Sequence, residues 1–160
     1  MIEPVRSGPD LLEEMDATNP LPGALAVWWL GQSGFLIKSC ETTLLIDPYL
    51  SDHLTTKYRH TDRPHVRMTR APLRGAELSG IDLVLASHKH SDHLDPDIII
   101  DLLKASPQAR LLLPRSLQLQ RSSRGRKIAS ERGGPPLDCR EVVDGYRGDR
   151  SGVLRGLEQA

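Results

Sequence analysis

The stretch from 81 to 114 constrains the fold of this chain more than any other part of the sequence. Ile81–Ala86 is a short apolar run of the kind that forms strands buried on both faces. The Asp95-Pro96 pair is typical of a helix start, and the helical pattern that follows gives way to a second apolar run, Arg110–Leu113. A strand, a loop, a helix and a strand in this order predict a βαβ unit.

Three shorter apolar segments precede this unit. They are Ala24–Leu30, Phe35–Ser39 and Thr42–Ile46, and short turns link them. The turns favour an antiparallel meander. Trp28 and Trp29 must then point to opposite faces of the first strand, so one lies in the core and the other needs cover from a second layer.

An N-terminal lead-in occupies residues 1–23. Residues 9–18 predict a short helix with Asp10 as its N-cap, and the break at Pro20–Gly23 ends this part. The lead-in lacks the basic flank and the apolar run of a signal peptide. No stretch reaches the roughly 18 apolar residues that a membrane span needs. We therefore expect a cytoplasmic protein without a membrane partner.

The segment 115–160 differs in composition from the half-domain at 24–114. It holds 10 of the 21 Lys and Arg residues, is rich in Ser and Gly and contains no histidine. This composition predicts an atypical, poorly structured tail. A basic RNA-binding tail is the alternative, but Tyr146 is the sole aromatic residue among these arginines. The formal net charge of zero also gives no whole-chain attraction to nucleic acid.

A long polar connection, 51–79, lies between the meander and the βαβ unit. Connections of this length without clear periodicity are usually functional or mobile. His53, His60 and His65 lie in it. They have the reach to approach a site, but their loop context favours surface positions.

Four side chains that commonly bind metals follow the Ile81–Ala86 run within six residues: His88, His90, Asp92 and His93. Loops at this end of a strand are where α/β sheets build their sites. Histidines two apart in an extended segment project to the same side and can converge on one ion. Asp92 and His93 suit a neighbouring ion. The ligand types fit Zn²⁺, Mn²⁺ or Fe²⁺, and a loop of solvated histidines is the alternative.

The motif His88-Lys89-His90-Ser91-Asp92-His93 matches the His-x-His-x-Asp-His signature of the metallo-β-lactamase superfamily. Upstream, Trp28–Ile37 and Leu45–Ser51 look like the branch that contains ascorbate-6-phosphate lactonases and related phospholipase-D-like enzymes. The resemblance covers residues 24–114.

The resemblance implies an α+β fold, an αβ/βα sandwich with two divalent ions, zinc or manganese, at the edge of its sheets. This chain would carry the first half, the meander and one βαβ unit. His88 and His90 would bind the first ion, and Asp92 and His93 the second. Asp92 is also the candidate catalytic residue, as a group that holds or accepts a proton of the attacking water. Asp47 resembles the aspartate behind a metal-binding histidine, and the alternative for it is a turn-forming role.

The implied activity is hydrolysis of a lactone, ester or phosphodiester in a small molecule, and a phosphorylated molecule is one candidate substrate. The family pattern also needs two later histidines and a bridging aspartate, whereas this chain has no histidine after His93. A truncated or frame-shifted chain explains this, as do ligands from a second chain, which leaves oligomerisation open. We expect low or absent activity for this chain alone. The alternative function is a non-catalytic metal-binding fragment or interaction module.

Overall fold

The structure, a computed structural model, describes residues 1–114 and the backbone of Val142–Val143. Its helices and strands follow one another in a simple order. They are α1 (Gly8–Ala17), β1 (Ala26–Trp29), β2 (Phe35–Lys38), β3 (Thr43–Ile46), α2 (His53–Lys57), a 3₁₀ turn (Gly75–Glu77), β4 (Leu83–Leu85), α3 (Pro96–Ala105), β5 (Arg110–Leu112) and β6 (Val142–Val143). Apart from the backbone of β6, the tail predicted at 115–160 lies outside the described residues.

The strands form one mixed sheet in the order β1-β2-β3-β4-β5-β6. The pairs β1–β2 and β2–β3 are antiparallel, which confirms the predicted meander. The pairs β3–β4 and β4–β5 are parallel, with α3 between β4 and β5, which confirms the predicted βαβ unit. The fold class is therefore α+β, as predicted.

One face of the sheet carries the hydrophobic core. A single row of register partners runs across it, and its members are Trp28, Leu36, Leu45, Val84 and Leu111. The apolar side chains of α1 and α3 join the same cluster, namely Leu11, Met15, Ile98, Ile99 and Leu102. Because successive strand residues alternate between faces, the side chains of this row all point to the same face of the sheet. Helices α1 and α3 pack against that face.

The opposite face of the sheet is apolar and partly open. Val27 and Trp29 are each 58 % exposed, and Phe35 is 39 % exposed. Trp28 instead packs against the core and donates from Nε1 to Oε1 of Glu14 at 3.1 Å. The two tryptophans thus point to opposite faces, as predicted.

The strand predicted at Ile81–Ala86 is shorter and more one-sided than expected. Regular pairing covers only Leu83–Leu85, in which Val84 is fully buried and its two neighbours are partly exposed. The prediction of a strand buried on both faces was therefore too strong, because the second layer that would cover the open face is not among residues 1–114.

Helix α1 begins earlier than predicted. Its N-cap is Ser7, which makes no side-chain capping bond, so the assignment of Asp10 as the N-cap was wrong. Pro9 fits the first turn, where a backbone N–H has no partner within the helix, and the helix can therefore start before it. Within residues 1–114, no helix is long and apolar enough to cross a membrane.

The turn between β1 and β2 requires glycine at position 31. Gly31 has φ +86°, and an added Cβ would lie 2.5 Å from Oγ1 of Thr69. Gly23 has a similar φ of +84° with open space around it. We expect Gly23→Ala to cost about 1 kcal/mol through backbone strain and Gly31→Ala to cost about 1–3 kcal/mol more through the clash. Denaturant unfolding measures both, and equal losses would refute the packing argument.

Candidate functional site: a histidine cluster at the sheet edge

The candidate site lies where the parallel strands β3 and β4 end side by side. Asp47 directly follows β3, and its backbone N–H donates to the carbonyl of Leu85 at 2.8 Å. Its φ of +46° is left-handed, a conformation that Asp tolerates better than most residues. The carboxyl ends of neighbouring strands meet at one sheet edge, so the loops after them are brought together.

The Asp47 carboxylate is a buried acceptor for three donors. The backbone N–H and the hydroxyl of Ser87 each approach it at 2.7 Å, and Nδ1 of His93 lies 2.8 Å from Oδ2. The side chain of Asp47 is only 9 % exposed. The carboxylate therefore contacts a histidine of the motif directly, and the φ of +46° is also compatible with the turn-forming role that the sequence left open.

The histidine loop gathers its imidazoles through a turn. His93 N and Leu94 N both donate to the carbonyl of His90, at 2.9 and 2.8 Å. Nε2 of His88 lies 3.1 Å from Nδ1 of His90, and the ring centroids of His88 and His93 are 4.0 Å apart. The expected extended segment is wrong, since no strand covers residues 87–94, but the rings of His88 and His90 lie in contact.

Asp92 lies at the solvent side of the cluster. Its Oδ2 is 3.7 Å from Nε2 of His93, and its side chain is 39 % exposed. The hydroxyl of Ser33, in the turn between β1 and β2, donates to the backbone carbonyl of Asp92 at 2.5 Å. The turn after β1 is therefore tied to the histidine loop.

The electrostatics of the cluster favour a neutral His88. Burial, followed by the neighbouring imidazoles of His93 and His90, lowers the pKa of His88 below its ordinary value. A neutral imidazole has a nitrogen lone pair to offer, which is the form that binds metal ions.

The donor set of the cluster suits divalent ions but is incomplete within the described residues. Two nitrogens bound to one tetrahedral zinc ion lie about 3.4 Å apart, close to the spacing between His88 and His90. Asp92 and His93 form a second adjacent pair. Yet within residues 1–114, no three side chains of His, Cys, Asp or Glu are arranged as one metal site. The spacing is therefore compatible with two ligands for each of two ions, and the assignment of ions to these pairs stays a prediction.

The upstream histidines make their contacts elsewhere in the described part of the chain. Nδ1 of His53 is 3.4 Å from Oδ2 of Asp97. His65 packs against the ring of Tyr58 with centroids 5.1 Å apart, and His60 is exposed. In the described part of the chain, none of the three is seen bonded to the histidine loop.

Asp95 connects the segment after Asp47 to the start of α3. As the N-cap of α3 it accepts from the backbone N–H of Asp97 at 3.1 Å, which confirms its predicted capping role. It also accepts from the hydroxyl of Ser51 at 2.6 Å. Arg67 holds the same segment by donating to the carbonyls of Tyr49 and Ser51 at 2.8 and 3.1 Å. Burial raises the pKa of Asp95, so its ionised form depends on these bonds.

Removing the Asp95 carboxylate should destabilise the fold. Asp95→Ala leaves the Ser51 hydroxyl and the helix N-terminus without their acceptor, and we expect a loss of about 1–3 kcal/mol in unfolding free energy. The matched control is Asp101→Ala on the same helix, whose side chain is 49 % exposed and pairs with Lys104. That pair should contribute less than about 1 kcal/mol. Urea unfolding of both variants measures the difference in unfolding free energy. Equal losses would contradict the stabilising role of the Asp95 carboxylate.

Sequence reasoning missed three residues that organise the site. Ser87 contacts both Asp47 and His88, Ser33 holds the loop at Asp92, and Arg67 holds the segment after β3. The position of Ser87 between a strand end and a motif histidine was a usable signal. Arg67 lies in a polar connection without periodicity, and only the tertiary structure shows its role.

Comparison with known proteins supports the family suggested by the motif. A family model described as "Beta-lactamase superfamily domain" matches residues 26–129. Proteins named "Probable L-ascorbate-6-phosphate lactonase UlaG" from Escherichia coli O139:H28, Salmonella paratyphi B and Shigella boydii serotype 18 are each 30 % identical over 107 residues. Each match covers 55 % of this chain and 29 % of the relative, so the chain spans less than a third of their length. Because the family model matches more than half of the chain, the chain belongs to the beta-lactamase superfamily.

Proposed function

We propose that this chain provides two ligand pairs of a two-ion hydrolase site. His88 and His90 form the first pair, and Asp92 and His93 form the second. The superfamily and its lactonase relatives make the chain part of a hydrolase family. The proposed reaction is hydrolysis of a lactone, ester or phosphodiester bond in a small substrate, and the relatives' name favours a phosphorylated lactone.

One observation carries the proposal. His88 Nε2 and His90 Nδ1 lie 3.1 Å apart, and His93 stands beside them with its other nitrogen held by Asp47. Three imidazoles in contact are not expected in a solvated polar loop, since they repel one another once protonated. Two ions bound side by side at the cluster would give that arrangement a physical basis.

Asp47 fixes the orientation and tautomer of His93. Its carboxylate accepts, so the 2.8 Å contact places a proton on Nδ1 of His93 and leaves Nε2 with a lone pair. Metal-binding histidines commonly use such a carboxylate to hold their second nitrogen. The strand ends that carry Asp47 and Ser87 thus keep the Nε2 atom turned toward Asp92.

Asp92 is the proposed proton acceptor. Its carboxylate is exposed enough to reach a water at the cluster, and its distance of 3.7 Å from His93 Nε2 leaves it free of a short hydrogen bond there. Divalent ions at the two ligand pairs would supply Lewis acidity and a water of lowered pKa. Asp92 would hold a water at the cluster and take up its proton.

A non-catalytic metal-binding fragment is the second candidate. It is favoured by the observation that, within residues 1–114, no three side chains of His, Cys, Asp or Glu are arranged as one metal site. Two ligands for each ion give an open and weak site, so binding without turnover is a coherent function for such a chain.

A binding and hydrolysis assay separates the two candidates. The 160-residue chain is titrated with Zn²⁺ or Mn²⁺ and assayed on L-ascorbate 6-phosphate, an aryl ester and an aryl phosphodiester, with the His88→Ala variant as background. We expect weak ion binding and a low hydrolysis rate that falls to background in the variant. Ion binding without any rate above background supports the fragment. A chain that neither binds ions nor hydrolyses these substrates contradicts both.

Several expectations stay predictions. The identity of the ions as zinc or manganese, the cytoplasmic location and the truncation of the family fold are among them. Whether a second chain supplies further ligands is also a prediction, and cross-complementation of two inactive variants would test it.

A further inference from the structure

We propose that Ser87 is a positioning residue that sets the tautomer of His88 by linking it to Asp47. The inference rests on the proposed function in one respect only: the tautomer would serve to present the free Nε2 of His88 to an ion. The geometry consists of three contacts of one hydroxyl. Ser87 Oγ lies 2.7 Å from Asp47 Oδ2, 3.0 Å from His88 Nδ1 and 3.3 Å from His93 Nδ1. The contact with His93 is the longest, and Nδ1 of His93 lies closer to Asp47 Oδ2, at 2.8 Å.

The direction of each hydrogen bond follows from the number of protons available. Ser87 Oγ carries one hydrogen, and the Asp47 oxygen beside it, Oδ2, can only accept and already lies 2.8 Å from Nδ1 of His93, while the Ser87 backbone N–H donates to Oδ1. If the hydroxyl hydrogen pointed at His88, two oxygen lone pairs would face each other at 2.7 Å. The hydroxyl therefore donates to Asp47, and its oxygen accepts a proton carried by His88 Nδ1.

This assignment makes His88 and His93 equivalent in their protonation. His93 donates from Nδ1 to Asp47 directly, and His88 donates from Nδ1 to the same carboxylate through Ser87. Both rings are left with a lone pair on Nε2. His90 then completes a consistent network, because its Nδ1–H can donate to the His88 Nε2 that lies 3.1 Å away. One buried carboxylate thus controls two motif histidines.

The tautomer is measured directly on the metal-free chain. Long-range proton–nitrogen NMR of ¹⁵N-histidine-labelled protein distinguishes Nδ1–H from Nε2–H rings. We expect Nδ1–H for His88 and His93 in the unmodified protein. In Ser87→Ala, His88 should shift mainly to Nε2–H, while His93 keeps Nδ1–H because Asp47 still holds it. Ser87→Thr retains the hydroxyl and should restore the original state of His88.

A second readout connects the tautomer to ion binding. We expect Ser87→Ala to weaken Zn²⁺ binding by about 10- to 100-fold, as is usual when a metal-binding histidine loses the hydrogen-bond partner of its other nitrogen. Ser87→Thr should recover the original affinity. Ser39→Ala is the matched control, because that hydroxyl is part of an exposed turn with Thr42. It should change neither readout.

The outcomes separate this inference from the proposed function. An Nε2–H tautomer for His88 in the unmodified chain, or a tautomer that Ser87→Ala leaves unchanged, overturns the role of Ser87 whether or not ions bind. Correct tautomers in a chain that binds no ion support the role of Ser87 and contradict the two-ion function. If Ser87→Ala fails to fold, the unmodified chain and Ser87→Thr still decide the tautomer.

Discussion

Replacing both His88 and His90 by alanine is expected to weaken binding of the first divalent ion by at least about 100-fold. Their nitrogens lie 3.1 Å apart, so the proposed site loses both ligands of one ion at once. Structural zinc sites gain roughly 10–16 kcal/mol from about four ligands, which makes the loss of two a matter of several kcal/mol. Equilibrium dialysis with radioactive Zn²⁺ measures the change in dissociation constant.

The matched control removes the same number of imidazoles from elsewhere. His60 and His65 lie in the polar connection and are exposed, so His60→Ala with His65→Ala should leave the dissociation constant within a factor of about two. Both double variants are expected to keep the fold, because none of the four rings belongs to the hydrophobic core. Equal weakening by the two pairs would show that ions bind histidines in general rather than this cluster.

Asp47→Asn is expected to have the second largest effect, because it changes both stability and ion binding. An amide offers one oxygen to the three donors of Ser87 and His93 and turns an N–H₂ group against one of them. We expect a loss of about 1–3 kcal/mol in unfolding free energy for the unsatisfied buried donors. Zn²⁺ affinity should fall by about 10- to 100-fold because His93 loses its fixed orientation. Asparagine tolerates the left-handed backbone as aspartate does, so the substitution isolates the carboxylate.

Asp82→Asn is the control for that substitution. Asp82 precedes β4 at the opposite end of the strand, and its carboxylate also accepts a backbone N–H, from Thr43 at 2.8 Å. We expect a stability loss of about 1 kcal/mol and unchanged Zn²⁺ affinity. Calorimetric titration of the folded variants gives both affinities. An Asp47→Asn chain that binds Zn²⁺ as the unmodified protein does would remove Asp47 from the site.

The strands were predictable because their patterns depend on local sequence. Alternation and turn residues located the three meander strands to within two residues, and the Asp95-Pro96 pair located the start of α3. The error at Asp10 arose because several residues of the first turn satisfy the same capping pattern, and only the structure shows Ser7 in the cap position. The burial of Leu83–Leu85 was overestimated because a short apolar run does not show whether a second layer of structure covers the strand.

The membership of the site was predictable, but its internal contacts were not. Spacing alone brought His88, His90, Asp92 and His93 into one hypothesis. The position of Ser87 marks it as a neighbour of the motif, but the sequence does not show that it bridges Asp47 and His88, since these contacts depend on β3 and β4 ending side by side. The roles of the four motif residues as ligands stay predictions. Their contacts with Asp47 and Ser87 give those predictions a geometric basis.

Titration of the 160-residue chain with Zn²⁺, followed through the ring resonances of all six histidines, tests the central claim most directly. The claim predicts that the signals of His88, His90 and His93 shift together and saturate, while those of His53, His60 and His65 stay in place. Signals of the motif histidines that do not move, or six signals that all move alike, would contradict a shared ion site at this sheet edge.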